Sequence, residues 1–212
     1  MIIDLGLIDY QEAYKIQKEF VRRRRLGEIE DSIIVAEHNS VFTIGSRGSK
    51  ENIRVSKDFL ERLGIWVLDV DRGGDITFHG PGQILVYPIL DLRHRGKDLH
   101  RYLRDLESVV IGLLNEYGIT GSRIKGKTGV WVSGKKIASI GIAASDWVTY
   151  HGLSLNVKVD LSYFSMIYPC GMKDAEITSM KTILGRDMAM PEVKGELLSQ
   201  FKRVFELKRR RP

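Results

Sequence analysis

Arg72-Gly73-Gly74-Asp75-Ile76-Thr77-Phe78-His79-Gly80-Pro81-Gly82-Gln83, followed by the apolar run of residues 84–90, is the stretch on which the reading of this chain turns. Residues 65–70 ahead of it form a strand pattern, and four glycines within ten residues then break that pattern up. The segment is neither a dinucleotide fingerprint nor a P-loop, because it has no G-x-G-x-x-G before a helix and no Gly-Lys-Ser/Thr. Its glycines instead let an elongated ligand lie against backbone, with Arg72, Thr77 and His79 as polar points at the mouth of a cavity.

Upstream, Asp9 followed by Glu12 makes a capping-box-like start. Tyr10, Ala13, Tyr14, Gln17, Phe20 and Val21 then recur at helical spacing up to Gly27, which predicts an amphipathic first helix. Residues 32–36 and 41–44 are short β-rich runs separated by His38-Asn39-Ser40, expected as a hairpin-like pair opening into the loop Gly45-Ser46-Arg47-Gly48. Ser56 caps a short helix ending near Gly64.

Downstream, Asp98 caps the longest helix, in which Leu99, Tyr102, Leu106, Val109, Val110, Leu113 and Leu114 keep a helical period up to Gly118. Residues 130–132, the turn Ser133-Gly134 and residues 136–143 predict a second hairpin, and residues 149–159 a further strand. A helix is expected to begin around Asp174, and Pro191 stands near the start of the last one. Strands and helices intermix without strict β-α-β alternation. The expected fold is therefore α+β, one domain over residues 1–212, with a mixed, largely antiparallel sheet and flanking helices.

The composition, 43% hydrophobic and 28% charged, is that of a folded chain with one sizeable core. No basic region leading into a long apolar stretch follows Met1, and no segment has the apolar length of a membrane span, so a cytoplasmic protein without a membrane partner is expected. The 33 Lys+Arg against 27 Asp+Glu give +6, much of the excess lying in residues 22–25 and 208–211. These runs read either as solvated helix ends or as docking for an acidic partner. They lack interleaved aromatics and any helix-turn-helix, zinc or RNA-binding signature, so nucleic acid is not an expected partner.

Cys170 is the only cysteine and cannot form an internal disulfide, so it is either a small buried hydrophobe or a reactive thiol. Tyr168-Pro169-Cys170-Gly171 sets it between a stiffening residue and one that admits close approach. A free thiol ionises near pH ~8.5, so a catalytic one needs a base or cation beside it. His38, His94 and His100 stand in ordinary turn or helix contexts, as surface or capping residues. His79 and His151 are each followed by glycine, and a Cys-His pair with either is conceivable. Lys136 opens the strand Lys136-Ile137-Ala138-Ser139-Ile140-Gly141, whose small and apolar residues can partly desolvate an ammonium group. The chain has no carboxylate pair, H-E-x-x-H, C-x-x-C or G-x-S-x-G, which removes the commoner zinc, redox and serine-hydrolase readings, and no cofactor is expected.

Taken in order, Glu37-His38-Asn39-Ser40-Val41-Phe42-Thr43-Ile44-Gly45, residues 72–83, Gly129-Val130-Trp131-Val132, residues 136–141, His151-Gly152-Leu153-Ser154-Leu155-Asn156, Pro169-Cys170-Gly171 and Thr178-Ser179 resemble the lipoyl(octanoyl) transferases. The resemblance covers about residues 5–185 and implies the biotin/lipoate protein ligase-like (class II synthetase-like) fold. It further implies an octanoyltransferase that carries an octanoyl or lipoyl group from acyl carrier protein to a lysine of lipoate-dependent enzymes, the acceptors being lipoyl domains of 2-oxoacid dehydrogenases and the glycine cleavage H protein. The family's nucleophile falls on Cys170 and its partner lysine on Lys136. Its acyl-binding stretches fall on Arg72, Gly73, Gly74, Asp75, Ile76, Thr77, Phe78 and His79, on Ser139, Ile140 and Gly141, and on Gly152, Leu153 and Ser154. Asn39-Ser40, Lys127-Thr128, Met172 and Met180 depart from the family pattern in loop stiffness and packing. The competing reading is an ATP-dependent lipoate or biotin ligase on the same fold; a monomer is the default.

Overall fold

The glycine-rich stretch divides between two sheets. In the computed structural model, which describes residues 1–168 and 176–206, Ile76–His79 (β5) belongs to a three-stranded sheet with Val41–Ile44 (β3) and Trp66–Asp69 (β4), in the order β4-β3-β5. Gly80-Pro81-Gly82 then carries the chain across to Gln83–Ile89 (β6), near the middle of a seven-stranded sheet. That sheet also contains Ile2–Ile8 (β1), Ser32–His38 (β2), Ser122–Ile124 (β7), Lys127–Val132 (β8), Lys135–Ser145 (β9) and Val148–Asn156 (β10), in the order β1-β2-β6-β10-β9-β8-β7. Among its named strands in the described residues, β1 and β2 pair in parallel and the other neighbours are antiparallel, so the expected mixed, largely antiparallel sheet is what the chain forms.

The expected pairing of residues 32–36 with 41–44 does not occur. β2 lies between β1 and β6, while β3 lies between β4 and β5. The reason is burial: Ile33, Ile34, Val35 and Ala36 are all buried, as are Val41, Phe42, Thr43 and Ile44. Each run is covered on both faces and needs a central place in a sheet, which a solvent-facing hairpin does not offer. The second hairpin, β8/β9, and the strand β10 form as expected.

Tyr10–Arg25 (α1) starts where Asp9 accepts the Gln11 and Glu12 backbone N–H groups, and it packs on one face of the large sheet. Leu99–Glu116 (α3) begins at Asp98, whose carboxylate accepts the Arg101 N–H. It buries Leu106, Val109, Val110, Leu113 and Leu114 on the opposite face together with Val193, Leu197 and Phe201 of Met190–Val204 (α5). Each such side chain stabilises the fold by about 1.5–3 kcal/mol. Lys57–Arg62 (α2) is capped by Ser56, and Met180–Leu184 (α4) by Ser179. The helix expected around Asp174, and the basic run at residues 208–211, lie outside the described residues.

Candidate active site

Three stretches that are far apart in sequence meet at one face of the large sheet. Antiparallel pairing of β9 and β10 sets Ser139 opposite Ser154, Ile140 opposite Leu153 and Gly141 opposite Gly152. The Arg72-Gly73-Gly74 loop lies across this pair, with the Gly73 N–H donating to the Ile142 carbonyl at 2.9 Å. A Cβ on Gly141 would sit 2.6 Å from the Gly73 oxygen, and one on Gly152 would sit 2.1 Å from the Val86 oxygen, so both positions require glycine for close approach. The Arg72 guanidinium is turned inward, donating to the Thr43 carbonyl at 2.6 Å and to its hydroxyl at 2.8 Å. Asp75 accepts from Asn52 at 2.7 Å.

Lys136 is buried beside this loop. Its backbone is held by residues that follow Cys170 in the chain: the Lys136 N–H donates to the Glu176 carbonyl at 2.8 Å, and Thr178 donates back to the Lys136 carbonyl at 2.9 Å. Its ammonium stands 5.3 Å from the centroid of the buried Trp131 ring. Its stem passes Gly129, where a Cβ would come 2.7 Å from Lys136 Cε. Gly129 in turn donates its N–H to Glu107, a fully buried carboxylate on α3 that Arg104 and Arg123 close at 2.7 and 2.8 Å. Cys170 lies outside the described residues.

These groups line a cavity of about 440 Å³, a size typical of small-molecule sites. Exposed Arg47 and Lys127 stand at its rim, and buried Tyr10, His79 and Tyr87 line its inner part. Lys136, Arg72 to Thr77, His79, Ser139 to Gly141 and Gly152 to Ser154 all border it. Phe78 is the exception among the expected acyl-binding residues. Strand alternation sends it into the smaller core, against Phe42, Phe164 and Tyr163, whose ring centroids are 5.4, 5.6 and 4.6 Å away.

Behind the cavity stands a buried layer of histidines and tyrosines. His38 is part of it, contrary to its reading as a surface or capping residue. Its Nδ1–H donates to the Ile8 carbonyl at 2.8 Å and its Nε2 accepts from the Tyr87 hydroxyl at 2.6 Å, the neutral tautomer that burial favours by pulling its pKa down. Desolvation also holds His79 neutral, well below the ordinary imidazole range, with Arg72 adding to the effect; its Nδ1–H donates to Gln83 at 3.2 Å. His151 lies in the left-handed region at φ 54°, its N–H donating to Gln17 at 2.9 Å. Burial outweighs the neighbouring carboxylate and lowers its pKa, so neutral His151 donates Nε2–H to Asp71 at 2.7 Å. His151 and Tyr150, 2.6 Å from the other carboxylate oxygen, hold Asp71 below the usual carboxylate range. Asp71 precedes Arg72, so this clamp fixes the root of the glycine loop. His94 and His100 are exposed, as expected.

A family profile described as the lipoyl protein ligase A/B catalytic domain matches residues 9–202. The octanoyltransferase of Syntrophobacter fumaroxidans is 45% identical over 205 residues, covering 97% of this chain and 90% of that protein. The chain belongs to the octanoyltransferases of this family. Its fold is the family's: a bipartite lipoate protein ligase from Thermoplasma acidophilum, described together with its E2 lipoyl domain as a lipoylation system, superposes with a TM-score of 0.74 at 15% identity, covering 100% of this chain and 85% of that one. Biotin protein ligase from Aquifex aeolicus gives a TM-score of 0.54 at 18% identity, covering 97% and 68%.

Within this family member, Tyr10, Tyr87 and Trp131 border the cavity without having been singled out in the sequence. Tyr10 reads there as one more apolar position of an amphipathic helix, and Tyr87 as part of an apolar run. Trp131 was visible within Gly129-Val130-Trp131-Val132, but its direction depends on a register that only pairing sets.

Proposed function

We propose that this octanoyltransferase-family chain moves an octanoyl or lipoyl group from the thioester of acyl carrier protein, through a Cys170 acyl-enzyme, to a lysine amine of a lipoyl domain. The observation that carries the reading is the backbone ladder at Lys136: Glu176, six residues after the only cysteine, is hydrogen-bonded to the one lysine that, among the described residues, is buried at the cavity wall. That the T. acidophilum ligase has an E2 lipoyl domain as its counterpart in one lipoylation system supports the choice of acceptor.

In the first half-reaction the Cys170 thiolate, paired with the Lys136 ammonium, attacks the thioester carbonyl. The carrier sulfur leaves as thiolate and takes a proton from Lys136, so the acyl-enzyme holds a neutral lysine. One thioester replaces another, and no ATP is consumed. In the second, the acceptor amine attacks the acyl-enzyme, Lys136 takes the proton that the nitrogen must lose, and Cys170 departs as thiolate. The ammonium–thiolate pair is restored and an amide has replaced a thioester. The cavity supplies selectivity: six methylenes at about 0.8 kcal/mol each give roughly 5 kcal/mol for a chain that fills it.

Intact-mass measurement after mixing the protein with octanoyl-acyl carrier protein, without ATP and with or without a lipoyl domain, tests this. The expected result is an adduct on Cys170 that the acceptor discharges, absent in Cys170→Ser and formed far more slowly in Lys136→Ala. Transfer only with ATP and free acid would establish the ligase reading instead.

A further inference from the structure

Trp131 and Lys136 face one another only because the β8/β9 ladder slips. Val130 pairs with Ala138, so an unbroken antiparallel ladder would set Trp131 against Ile137; the register shifts between Val130 and Trp131, and Trp131 pairs with Lys136. A one-residue slip moves a side chain to the other face of a sheet, and bulges recur where a side chain is re-aimed beside an active site. Here the slip brings a buried indole to the cavity wall with the Lys136 ammonium 5.3 Å from its centroid, inside the cation–π range of about 6 Å. Gly129, pinned by Glu107, leaves the lysine stem its path.

We propose that Trp131 is a positioning residue that acts through Lys136, its ring face favouring the ammonium–thiolate form of the Lys136/Cys170 pair over the neutral form. The inference rests on the acyl-enzyme reading above. A ring quadrupole attracts an ammonium and offers a neutral amine little. The ring therefore assists formation of the attacking thiolate and holds back the discharge step, in which Lys136 must be neutral. Other charged or titratable groups around the site are Arg47, Arg72, Asp75, Lys127, His79 and His151 along the cavity, the Lys135–Glu176 ion pair at 3.0 Å, and Glu107 behind Gly129. All of these stay constant when only the electron density of the indole is changed.

The experiment uses that separation. Trp66 and Trp147 are exposed, and neither borders the cavity, so a Trp66→Phe/Trp147→Phe protein leaves Trp131 as the only tryptophan and retains basal activity. It is prepared with ordinary, singly fluorinated and multiply fluorinated tryptophan, which drains the ring quadrupole with little change of shape. Two quantities are read: the pH midpoint for iodoacetamide alkylation of Cys170, and the rate at which preformed octanoyl-enzyme is discharged by a lipoyl domain.

The expected result is a midpoint rising by about 0.4 unit or more and a discharge rate rising about twofold or more across the series. Trp131→Leu is expected to shift the midpoint in the same direction, and Trp131→Phe to shift it less. A fluorination series that moves neither quantity, or that slows discharge, would overturn the inference while leaving the acyl-enzyme intact. Failure of the unfluorinated enzyme to form any Cys170 adduct would overturn the acyl-enzyme reading, and this inference with it.

Discussion

Glu107 is an ionisable residue with no accessible surface, and its partners explain its place. One oxygen accepts from Arg104 and Arg123 and the other from the Gly129 N–H, so a carboxylate on α3 anchors the strand that runs beside Lys136. Glu107→Gln keeps the shape but removes the charge-assisted bonds, while the half-exposed arginines can turn to water. The expected loss is therefore about 1.5–3 kcal/mol, the worth of hydrogen bonds to a charged group, and is checked by urea unfolding. Acyl transfer should fall as well, because the Gly129 N–H then meets a neutral acceptor and is held less firmly. The residue scale also sets Phe78 apart from the other expected acyl-binding residues. Its neighbours Thr77 and His79 border the cavity, and Phe78 points to the other side because successive residues of a strand do.

At the scale of elements, the site is built by close backbone approach. The glycine loop sits on β9 at Gly141, and β10 sits on β6 at Gly152. Gly141→Ala would force the Arg72-Gly73-Gly74 loop away from the sheet, since the added carbon meets the Gly73 oxygen and the Arg72 stem. The expected outcome is a raised KM for the acyl donor in a protein with a wild-type far-ultraviolet spectrum, because the loop is at the cavity wall and outside the large core. Asp98→Ala removes the side-chain cap of α3 and is expected to cost about 1 kcal/mol in unfolding free energy, with kcat unchanged. Helix starts were legible in the sequence because a cap is a local hydrogen bond: Asp9, Ser56 and Asp98 all cap as read. The separation of β2 from β3 was not legible, because a strand's neighbours are chosen by the whole sheet.

For the whole molecule, three buried histidines make stability depend on pH. His38, His79 and His151 are each held neutral in the fold, their pKa values lowered chiefly by burial. The unfolded chain takes up their protons at the ordinary imidazole value of about 6.5, so below that pH the unfolded state binds more protons. Their contribution is complete above about pH 6.5 and is lost as pH falls below it towards the folded values. Urea midpoints should be level from about pH 8 to 7 and decline between about pH 6.5 and 5, with a shallower decline in His38→Gln. The same scale decides the basic run at residues 22–25. Arg22 and Arg23 lie against Glu28, Arg24 bonds Asp31 at 2.8 Å, and Arg25 pairs with Asp146. Carboxylates within the fold thus answer this run, which weakens it as a docking patch.

The sequence by itself determined the starts of α1, α2 and α3, the hairpin of β8 and β9, the mixed α+β class, the lone cysteine and the segments that carry the family resemblance. Each of these is written in local periodicity, in a capping side chain or in a residue count. Tertiary structure alone decided that two consecutive strands enter different sheets, that His38 is buried against Tyr87, that Phe78 leaves the cavity, and that a slipped register aims Trp131 at Lys136. All four depend on which distant strand lies alongside and in what register, and the interactions that set this become available only when the sheet assembles.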